Sequence, residues 1–229
     1  GACQVCRQKH AKWSQRDDDV AVHALELLPQ NVRLLRYMMS RMKLDDLVSV
    51  HAVAASNASG VQKFVRYPGV TTYGRENTML CVGGKCKTFD SGVVEKVPVT
   101  TMDAFLDAQG INSAFFVSVD TEGSDALVIE GMARSLTAKR VRIIEFEYGA
   151  KGYWAAAKDV GKADAARQRG VKEHDRRTLE RLLRGVLAPS GFRCYWQAKR
   201  HLVPALDPCW ENALIGQSAS HSNLICAHD

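Results

Sequence analysis

Short apolar runs that end in acidic or turn residues recur along the chain and predict the strands of an α/β sheet. The clearest run extends from Phe115 to Val119 and is followed at once by Asp120, Glu122 and Gly123. Runs of this length between turn residues are typical of buried strands in α/β proteins. Such sheets bind ligands at the carboxyl ends of their strands, and Asp120 and Glu122 share one face of an extended segment, so we expect both carboxylates to point into one crevice. The alternative is that they only begin a polar loop.

The segment that follows predicts a helix and then another strand. Residues 125–136 carry apolar side chains close to helical spacing, and residues 141–147 form a β-branched run that ends in acid. Strand, acidic turn, helix and strand make a βαβ unit, whose crossover should be right-handed. The same kind of pattern predicts two more helices, one that begins at Pro29 and one over residues 177–187. It also predicts further strands over residues 20–25, 47–56, 192–197 and 223–227.

Composition agrees with a globular α/β domain. At 229 residues the chain is long enough for a full core, and its 46% hydrophobic and 24% charged residues are ordinary values. The net charge is +6, but the basic residues are spread along the chain without a stripe of interleaved aromatics, so nucleic-acid binding is disfavoured. No stretch approaches the roughly 20 apolar residues of a membrane-spanning helix, so no transmembrane segment is predicted.

Four segments together carry a family resemblance. Residues 97–106, 116–123, 127–131 and 143–147 give, in order, a Thr-x-Asp helix start, a strand running into Asp-x-Glu-Gly, a helix ending near glycine and a strand ending in acid. This set resembles the FkbM-type methyltransferases, which use S-adenosyl-L-methionine (AdoMet) on the Rossmann-like class I methyltransferase fold. The resemblance implies a three-layer α/β sandwich whose sheet is mostly parallel, with an antiparallel C-terminal strand pair. Ser118 stands where the family usually has a basic residue.

The resemblance also implies a cofactor site. In these enzymes an acid at the end of the second strand accepts hydrogen bonds from both ribose hydroxyls of AdoMet, and Glu26 occupies that place. The less favoured alternative is that Glu26 is an ordinary acid at a helix start, stabilised by the helix dipole. Val53 and Ala54 would wall the adenine, or else be plain sheet core. Asp120 is the candidate catalytic base or partner of the methionine amine, and Glu122 joins it in cofactor binding.

The start of the chain bears on the same site. In this fold the first strand lies at the centre of the sheet, and its turn, similar to Gly-Ala-Asn-x-Gly, contacts the carboxypropyl part of AdoMet. Gly1 and Ala2 match the tail of that turn and are cofactor-binding candidates, whereas Cys3 and Val5 stand where the family has Asn and Gly. We expect residues 4–13 to form a helix packed on the sheet.

The resemblance therefore implies that residues 1–229 form a single FkbM-like domain that is incomplete at its N-terminal side. Unpaired ladder groups on both neighbours of a buried strand cost about 1–3 kcal/mol each. We thus expect an upstream segment or a neighbouring chain to fill the gap between the strands that end at Glu26 and Asp120. A degenerate domain that has lost AdoMet binding is the third interpretation.

Residues 64–94 do not follow the strand–helix pattern of the rest of the chain. The family resemblance implies that they are an insertion between the third strand and the Thr-x-Asp helix, over the active-site face. The pair Gly83 and Gly84, between short β-like runs, predicts a two-residue hairpin. Cys81 and Cys86 then lie opposite each other at a Cα separation of roughly 4.5 Å, within the range of about 4.4–6.8 Å that a disulfide spans.

The remaining cysteines give weaker signals. The chain has seven, an odd number. Cys3 and Cys6 could bind zinc together with His10, but a fourth ligand does not stand out, so a helical position for these cysteines is favoured and no metal is predicted. A Cys194–Cys209 disulfide is left open.

Aromatic residues among glycines follow the strand that ends near residue 147. Tyr148, Tyr153 and Trp154 are candidate acceptor-binding residues because they offer flat apolar faces with polar handles; the equal alternative is a loop fixed by buried aromatics. The resemblance implies methyl transfer from AdoMet, most simply O-methylation of a small molecule or glycan. The alternative is a non-catalytic methyltransferase-like subunit, an interaction or structural component of a larger assembly, which the substitutions at Cys3 and Val5 favour.

Overall fold

The computed structural model describes residues 20–66, 79–80, 93–149, 154, 179–206 and 222–228. Several sequence predictions concern residues outside these ranges: the helix over residues 4–13, the Cys81–Cys86 hairpin, and the candidate residues Gly1, Ala2 and Tyr153. The chain divides into two compact units, Gly1–Val53 and Ala54–Asp229.

The first unit contains a strand, a helix and a parallel strand, as the apolar pattern predicts. The elements are β1 (Val22–Leu25), α1 (Pro29–Arg41) and β2 (Val48–His51). Pro29 occupies the first turn of α1, where its missing N–H costs nothing, and Arg41 lies in the last turn, where a cation suits the helix dipole. Strands β1 and β2 are paired in parallel.

The second unit begins with a four-stranded sheet in the order β3-β6-β4-β5. Its strands are β3 (Ala54–Ala55), β4 (Gly60–Arg66), β5 (Met79–Leu80) and β6 (Val93–Thr100). Strand β3 pairs in parallel with β6, and the other pairs are antiparallel. The prediction of one strand over residues 47–56 is therefore wrong, because β2 ends at His51 and Ala54 begins a strand of a different sheet.

A five-stranded sheet in the order β10-β9-β11-β8-β7 forms the rest of the second unit. Its strands are β7 (Ala114–Val119), β8 (Val141–Tyr148), β9 (Phe192–Gln197), β10 (Leu202–Pro204) and β11 (Ser222–His228). Strands β7 and β8 are parallel, and β9 and β11 form the expected antiparallel C-terminal pair. The described strands thus belong to three sheets, where the sequence predicted one, and the chain is of mixed α/β class.

Three short helices lie between these strands: α2 (Met102–Ala108), α3 (Asp125–Glu130) and α4 (Ala133–Thr137). The single helix predicted over residues 125–136 is broken after α3. At the break, Gly131 packs so closely on the backbone of Ser56 that a Cβ atom there would lie 2.1 Å from the Ser56 carbonyl oxygen. Residues 179–182 are α-helical and continue into a π-helix, Leu183–Leu187, within the helix predicted over residues 177–187. No helix in the described ranges is long and apolar enough to cross a membrane.

One face of the inner strand β8 is buried, whereas most of the edge strand β7 is not. Ile144 and Phe146 on β8 are 0% exposed, but Phe115 and Phe116 on β7 are 61% and 47% exposed. The prediction that β7 is a buried strand is thus wrong for most of its length, since Val119 is its one buried residue. The physical reason is its place at the sheet edge, where β8 is its one hydrogen-bonded neighbour among the strands described.

A disulfide joins two strands of the same sheet. Cys194 on β9 and Cys226 on β11 are directly paired, with Cα atoms 4.0 Å apart and a sulfur–sulfur bond. The Cys194–Cys209 alternative is therefore wrong. Both cysteines are buried, so the crosslink is part of the core of this sheet.

Candidate active site

Glu26 lies directly after β1, half-buried, and holds the start of α1. Its Oε1 accepts the backbone N–H of Leu28 at 2.7 Å, and its Oε2 accepts the side-chain amide of Asn31 at 3.3 Å. These bonds replace a conventional cap, because Leu28 at the N-cap position has no side-chain oxygen. An ionised carboxylate has roughly four acceptor positions, so Glu26 retains capacity for further donors. The contacts of Glu26 therefore agree both with a structural role at the helix start and with a role as a ribose ligand.

Two histidines, which the sequence analysis missed, join β1 to β2 just before Glu26. The Nδ1 of His23 lies 3.0 Å from the Nε2 of His51, and the rings stack with centroids 5.3 Å apart. The pKa of His51 lies below its ordinary value, first because the ring is partly buried and then because of positive charge at His23 and Arg36. A hydrogen bond between two ring nitrogens needs one donor and one acceptor, so the facing nitrogens share a single proton. The only sequence signal was a histidine in each of two neighbouring strands.

Val53 and Ala54 lie on either side of the boundary between the two units. Val53 is half-buried and donates its N–H to the carbonyl of His51 at 3.0 Å. Ala54 is buried and pairs with Val99 on β6. Ala54 thus belongs to the sheet core, as the second interpretation of this pair holds; contact of either residue with adenine stays a prediction.

The turn at residues 120–123 differs from the extended segment that the sequence predicted. Asp120 follows β7 directly and is exposed, while Glu122 is half-buried with φ of 55° and Gly123 is buried with φ of 96°. Alternation of side chains applies to extended backbone, so the argument that Asp120 and Glu122 share one face fails here. Glu122 occupies the left-handed region, which non-glycine residues rarely adopt and which is enriched at functional sites.

Asp125 is a further residue that the sequence pattern does not mark as a candidate. It is 0% exposed at the start of α3. Its Oδ2 accepts the Thr121 hydroxyl and the Gly123 N–H, both at 3.2 Å, and its Oδ1 accepts the Glu147 N–H at 3.4 Å. Burial raises the pKa of Asp125 to about 6, although these hydrogen bonds favour the ionised form. An acid at a helix start is ordinarily exposed, so only tertiary structure could reveal this position.

The Thr-x-Asp motif has a structural task. The hydroxyl oxygen of Thr101 accepts the Ala104 N–H at 3.1 Å and caps α2. Asp103 reaches across to α4, where it accepts the Arg134 N–H at 3.0 Å and, from Ser135, the N–H at 2.8 Å and the hydroxyl at 2.5 Å. The motif therefore ties two helices together by capping both of them.

The candidate acceptor aromatics that are described pack on one another. Trp154 is 0% exposed, stacks on Phe146 at a centroid distance of 6.3 Å and meets Tyr148 edge-on at 5.3 Å. Tyr148 is buried too and meets Trp196 edge-on at 5.7 Å. This packing is what the alternative interpretation, a loop fixed by buried aromatics, describes; acceptor contact stays a prediction.

Within the described part of the chain, no group of three or more His, Cys, Asp or Glu residues is placed to hold a metal ion. The possible zinc ligands Cys3, Cys6 and His10 lie outside that part. The candidate residues fall in both units: Glu26 and Val53 in the first, and Asp120, Glu122 and Ala54 in the second. Whether they line one crevice stays a prediction.

Comparison with known proteins points to one family. The family model described as "Methyltransferase FkbM domain" matches residues 4–170, well over half of the chain. Among solved structures, the chain is similar to methyltransferase FkbM from Methylobacillus flagellatus KT, with 15% identity and a TM-score of 0.36. That match covers 56% of this chain and 26% of the other, so the chain spans about a quarter of the length of that protein. No curated protein matches the chain.

Proposed function

Because the chain belongs to the Methyltransferase FkbM domain family, we propose that it transfers a methyl group from AdoMet to an oxygen of a small molecule or glycan. The family match is the observation that carries the proposal, and it includes Glu26, Asp120 and Glu122. Methyl transfer follows from the family; the donor, the acceptor and the reacting oxygen are part of the proposal. We also propose that the domain has the three-layer, Rossmann-like class I methyltransferase fold, with residues 64–94 as an insertion over the active-site face.

The surroundings of Glu26 support its proposed role as the ligand of the AdoMet ribose. Glu26 is half-buried, already accepts two hydrogen bonds and has acceptor positions left for the two hydroxyl donors of a ribose. Its anchoring to Leu28 and Asn31 fixes the carboxylate in advance, which lowers the entropy lost on binding. Val53 and Ala54 would supply a small apolar wall for the adenine, and Gly1 and Ala2 would approach the carboxypropyl part.

Asp120 is the residue best placed for the acceptor side. It is exposed at the carboxyl end of β7, where open α/β sheets bind ligands. AdoMet, when bound, supplies an electrophilic methyl group. The task left to the chain is to hold the acceptor in line with that carbon, and Asp120 would take the hydroxyl proton or bind the methionine amine. Tyr148, Tyr153 and Trp154 would shape the acceptor side.

A non-catalytic subunit is the second candidate, and one observation favours it. Cys3 and Val5 stand in place of the Asn and Gly of the family turn. Under either candidate, Phe115 and Phe116 leave an exposed apolar edge on β7, which a further strand would cover.

Calorimetric titration of the natural, full-length protein with AdoMet separates the two candidates. The methyltransferase proposal predicts saturable binding of AdoMet and of S-adenosylhomocysteine, which retains the ribose and adenine but lacks the transferred methyl group. Binding of neither compound would contradict the proposal and leave the interaction subunit as the better interpretation. Intact mass and oligomeric state of the same sample test the added strand.

A further inference from the structure

Among the residues that the structure describes, Asp125 is the only buried acid. Carboxylates are rarely removed from water unless hydrogen bonds satisfy them. Here the donors come from two separate elements, the turn after β7 and the end of β8. The proposed methyl transfer assigns no chemical step to this residue, so its burial requires another explanation.

One oxygen of Asp125 holds the turn. Its Oδ2 accepts from the Thr121 hydroxyl and the Gly123 N–H, both at 3.2 Å. These two residues flank Glu122, whose φ of 55° is unfavourable for a side chain with a Cβ atom. Such conformations persist where the surroundings hold them in place. Asp125 therefore holds the side chain of Thr121 on one side of Glu122 and the backbone of Gly123 on the other.

The other oxygen reaches the neighbouring strand. Its Oδ1 accepts the Glu147 N–H at 3.4 Å, near the end of β8. Strands β7 and β8 are parallel, so their carboxyl ends lie at the same edge of the sheet. A single carboxylate thus ties the turn that carries Asp120 and Glu122 to the next strand end.

We propose that Asp125 is a positioning residue of the candidate active site and ties the turn at residues 120–123 to the end of β8 only while its carboxyl is ionised. The inference rests on the proposed function, since that turn carries Asp120 and Glu122. A neutral carboxyl keeps one acceptor oxygen and turns the other into a donor. Oδ1 accepts only one, longer bond, so the proton is best placed there. The tie to Glu147 is then lost, while the bonds from Thr121 and Gly123 remain.

The direction of the pH dependence follows from the environment of Asp125. Burial raises its pKa to about 6, against the effect of the hydrogen bonds from its own N–H, Thr121, Glu147 and Gly123. The tie is therefore present above that pH and is lost as the pH falls through it. Among the described elements next to Asp125, the turn at residues 120–123, α3 and β8 contain no histidine. Their charged residues other than Asp125 are Asp120, Glu122, Glu130, Arg142, Glu145 and Glu147.

Amide hydrogen exchange of the cofactor-free protein tests the tie without any ligand. Between pH 7.5 and pH 5, we expect the protection factor of the Glu147 amide to fall about tenfold, the effect of one hydrogen bond to a charged group, while that of Gly123 changes little. In Asp125→Asn the carbonyl oxygen replaces Oδ2 and the amide nitrogen faces Glu147. Glu147 should then be weakly protected at both pH values. Unchanged protection of Glu147 in this variant would overturn the tie.

AdoMet affinity, measured by calorimetry over the same pH range, tests the positioning role. In the wild type we expect a five- to tenfold loss of affinity with a midpoint near pH 6, the size of a modest coupling between two sites. Asp125→Asn should bind weakly at every pH. The matched control is Asp103→Asn, which removes a cap elsewhere and should keep the wild-type profile. If Asp125→Asn does not fold, Thr121→Val removes one donor to the ionised carboxylate and should move the midpoint to higher pH.

The possible outcomes separate this inference from the proposed function. If the protection of Glu147 depends on pH but Asp125→Asn binds AdoMet as tightly as the wild type, the positioning role alone is overturned. Absence of AdoMet binding by the wild type would contradict the proposed function, and with it the positioning role, while the exchange data would still decide whether the tie exists.

Discussion

The two strand-to-helix turns that carry the candidate acids are built in different ways. After β1, the acid next to the strand, Glu26, itself holds the start of α1 through Leu28 and Asn31. After β7, the acid next to the strand, Asp120, is exposed, and a later acid, Asp125, holds the turn from inside. In the first turn a single carboxylate both holds the turn and is the candidate ligand-binding group. In the second turn these two tasks are divided between Asp120 and Asp125.

This difference predicts how far stability and activity separate on mutation. Where one residue has both tasks, any substitution should change both properties together. Where the tasks are divided, the exposed acid should affect activity alone, and the buried acid should affect stability first. The following variants test this division, beginning with the largest expected effect.

Asp120→Asn should lower turnover a hundredfold or more if Asp120 acts as a general base, since base catalysis typically contributes factors of about 10²–10⁴. AdoMet affinity and the free energy of unfolding should stay nearly unchanged, because the side chain is exposed. Single-turnover methyl transfer and calorimetry measure the two quantities. Asp46→Asn, at another exposed acid, is the matched control and should change neither. A loss of affinity as large as the loss of turnover would assign Asp120 to the methionine amine instead.

Asp125→Ala should destabilise the fold by about 2–4 kcal/mol, because the buried N–H group of Gly123 and the partly buried N–H group of Glu147 lose their acceptor. The Thr121 hydroxyl loses its acceptor too, but it can rotate toward another one. Denaturant unfolding measures the effect. Asp120→Ala, in the same turn, should change stability by no more than about 0.5 kcal/mol. Equal destabilisation by the two variants would remove the division of tasks in this turn.

Glu26→Ala should weaken AdoMet binding by about 1.5–3 kcal/mol, the range for hydrogen bonds to a charged group, and cost about 1 kcal/mol of stability through the lost helix start. Calorimetry and denaturant unfolding measure the two effects. Asn31→Ala removes one donor to Glu26 but leaves the carboxylate, so it should change stability slightly and AdoMet binding little. Unchanged cofactor affinity in Glu26→Ala would leave this residue with its structural task only.

The strands could be predicted from the sequence because an apolar run between turn residues is a local property. Strands β1, β8, β9 and β11 all fall on predicted runs. The run over residues 47–56 failed because continuous apolar character does not specify which partner each part will take. The exposure of Phe115 and Phe116 also depends on a neighbour, since an apolar edge strand and an apolar central strand have the same sequence pattern.

The places of the candidate acids at strand ends could be predicted, but the construction of their turns could not. Glu26 directly follows β1 and Asp120 directly follows β7, as the sequence pattern predicts, while their binding roles stay predictions. Asp125 was missed because its burial depends on Glu147, 22 residues further along the chain. The left-handed backbone of Glu122 was missed because glycine, not glutamate, is the residue that signals such a conformation.

That conformation gives the smallest expected effect. Glu122→Gly should stabilise the fold by about 0.5–1 kcal/mol, because relief of the left-handed strain exceeds the extra entropy of glycine in the unfolded chain. AdoMet binding should weaken at the same time if Glu122 contacts the cofactor. Lys139→Gly, at a φ of 55° before β8, is the matched control: it should stabilise by a similar amount and leave binding unchanged. Stabilisation by both variants with full AdoMet affinity would show that Glu122 has no binding task. Destabilisation by Glu122→Gly alone would show that contacts of its side chain outweigh the strain. The first result would confine the active role in this turn to Asp120, while Asp125 would still hold its geometry.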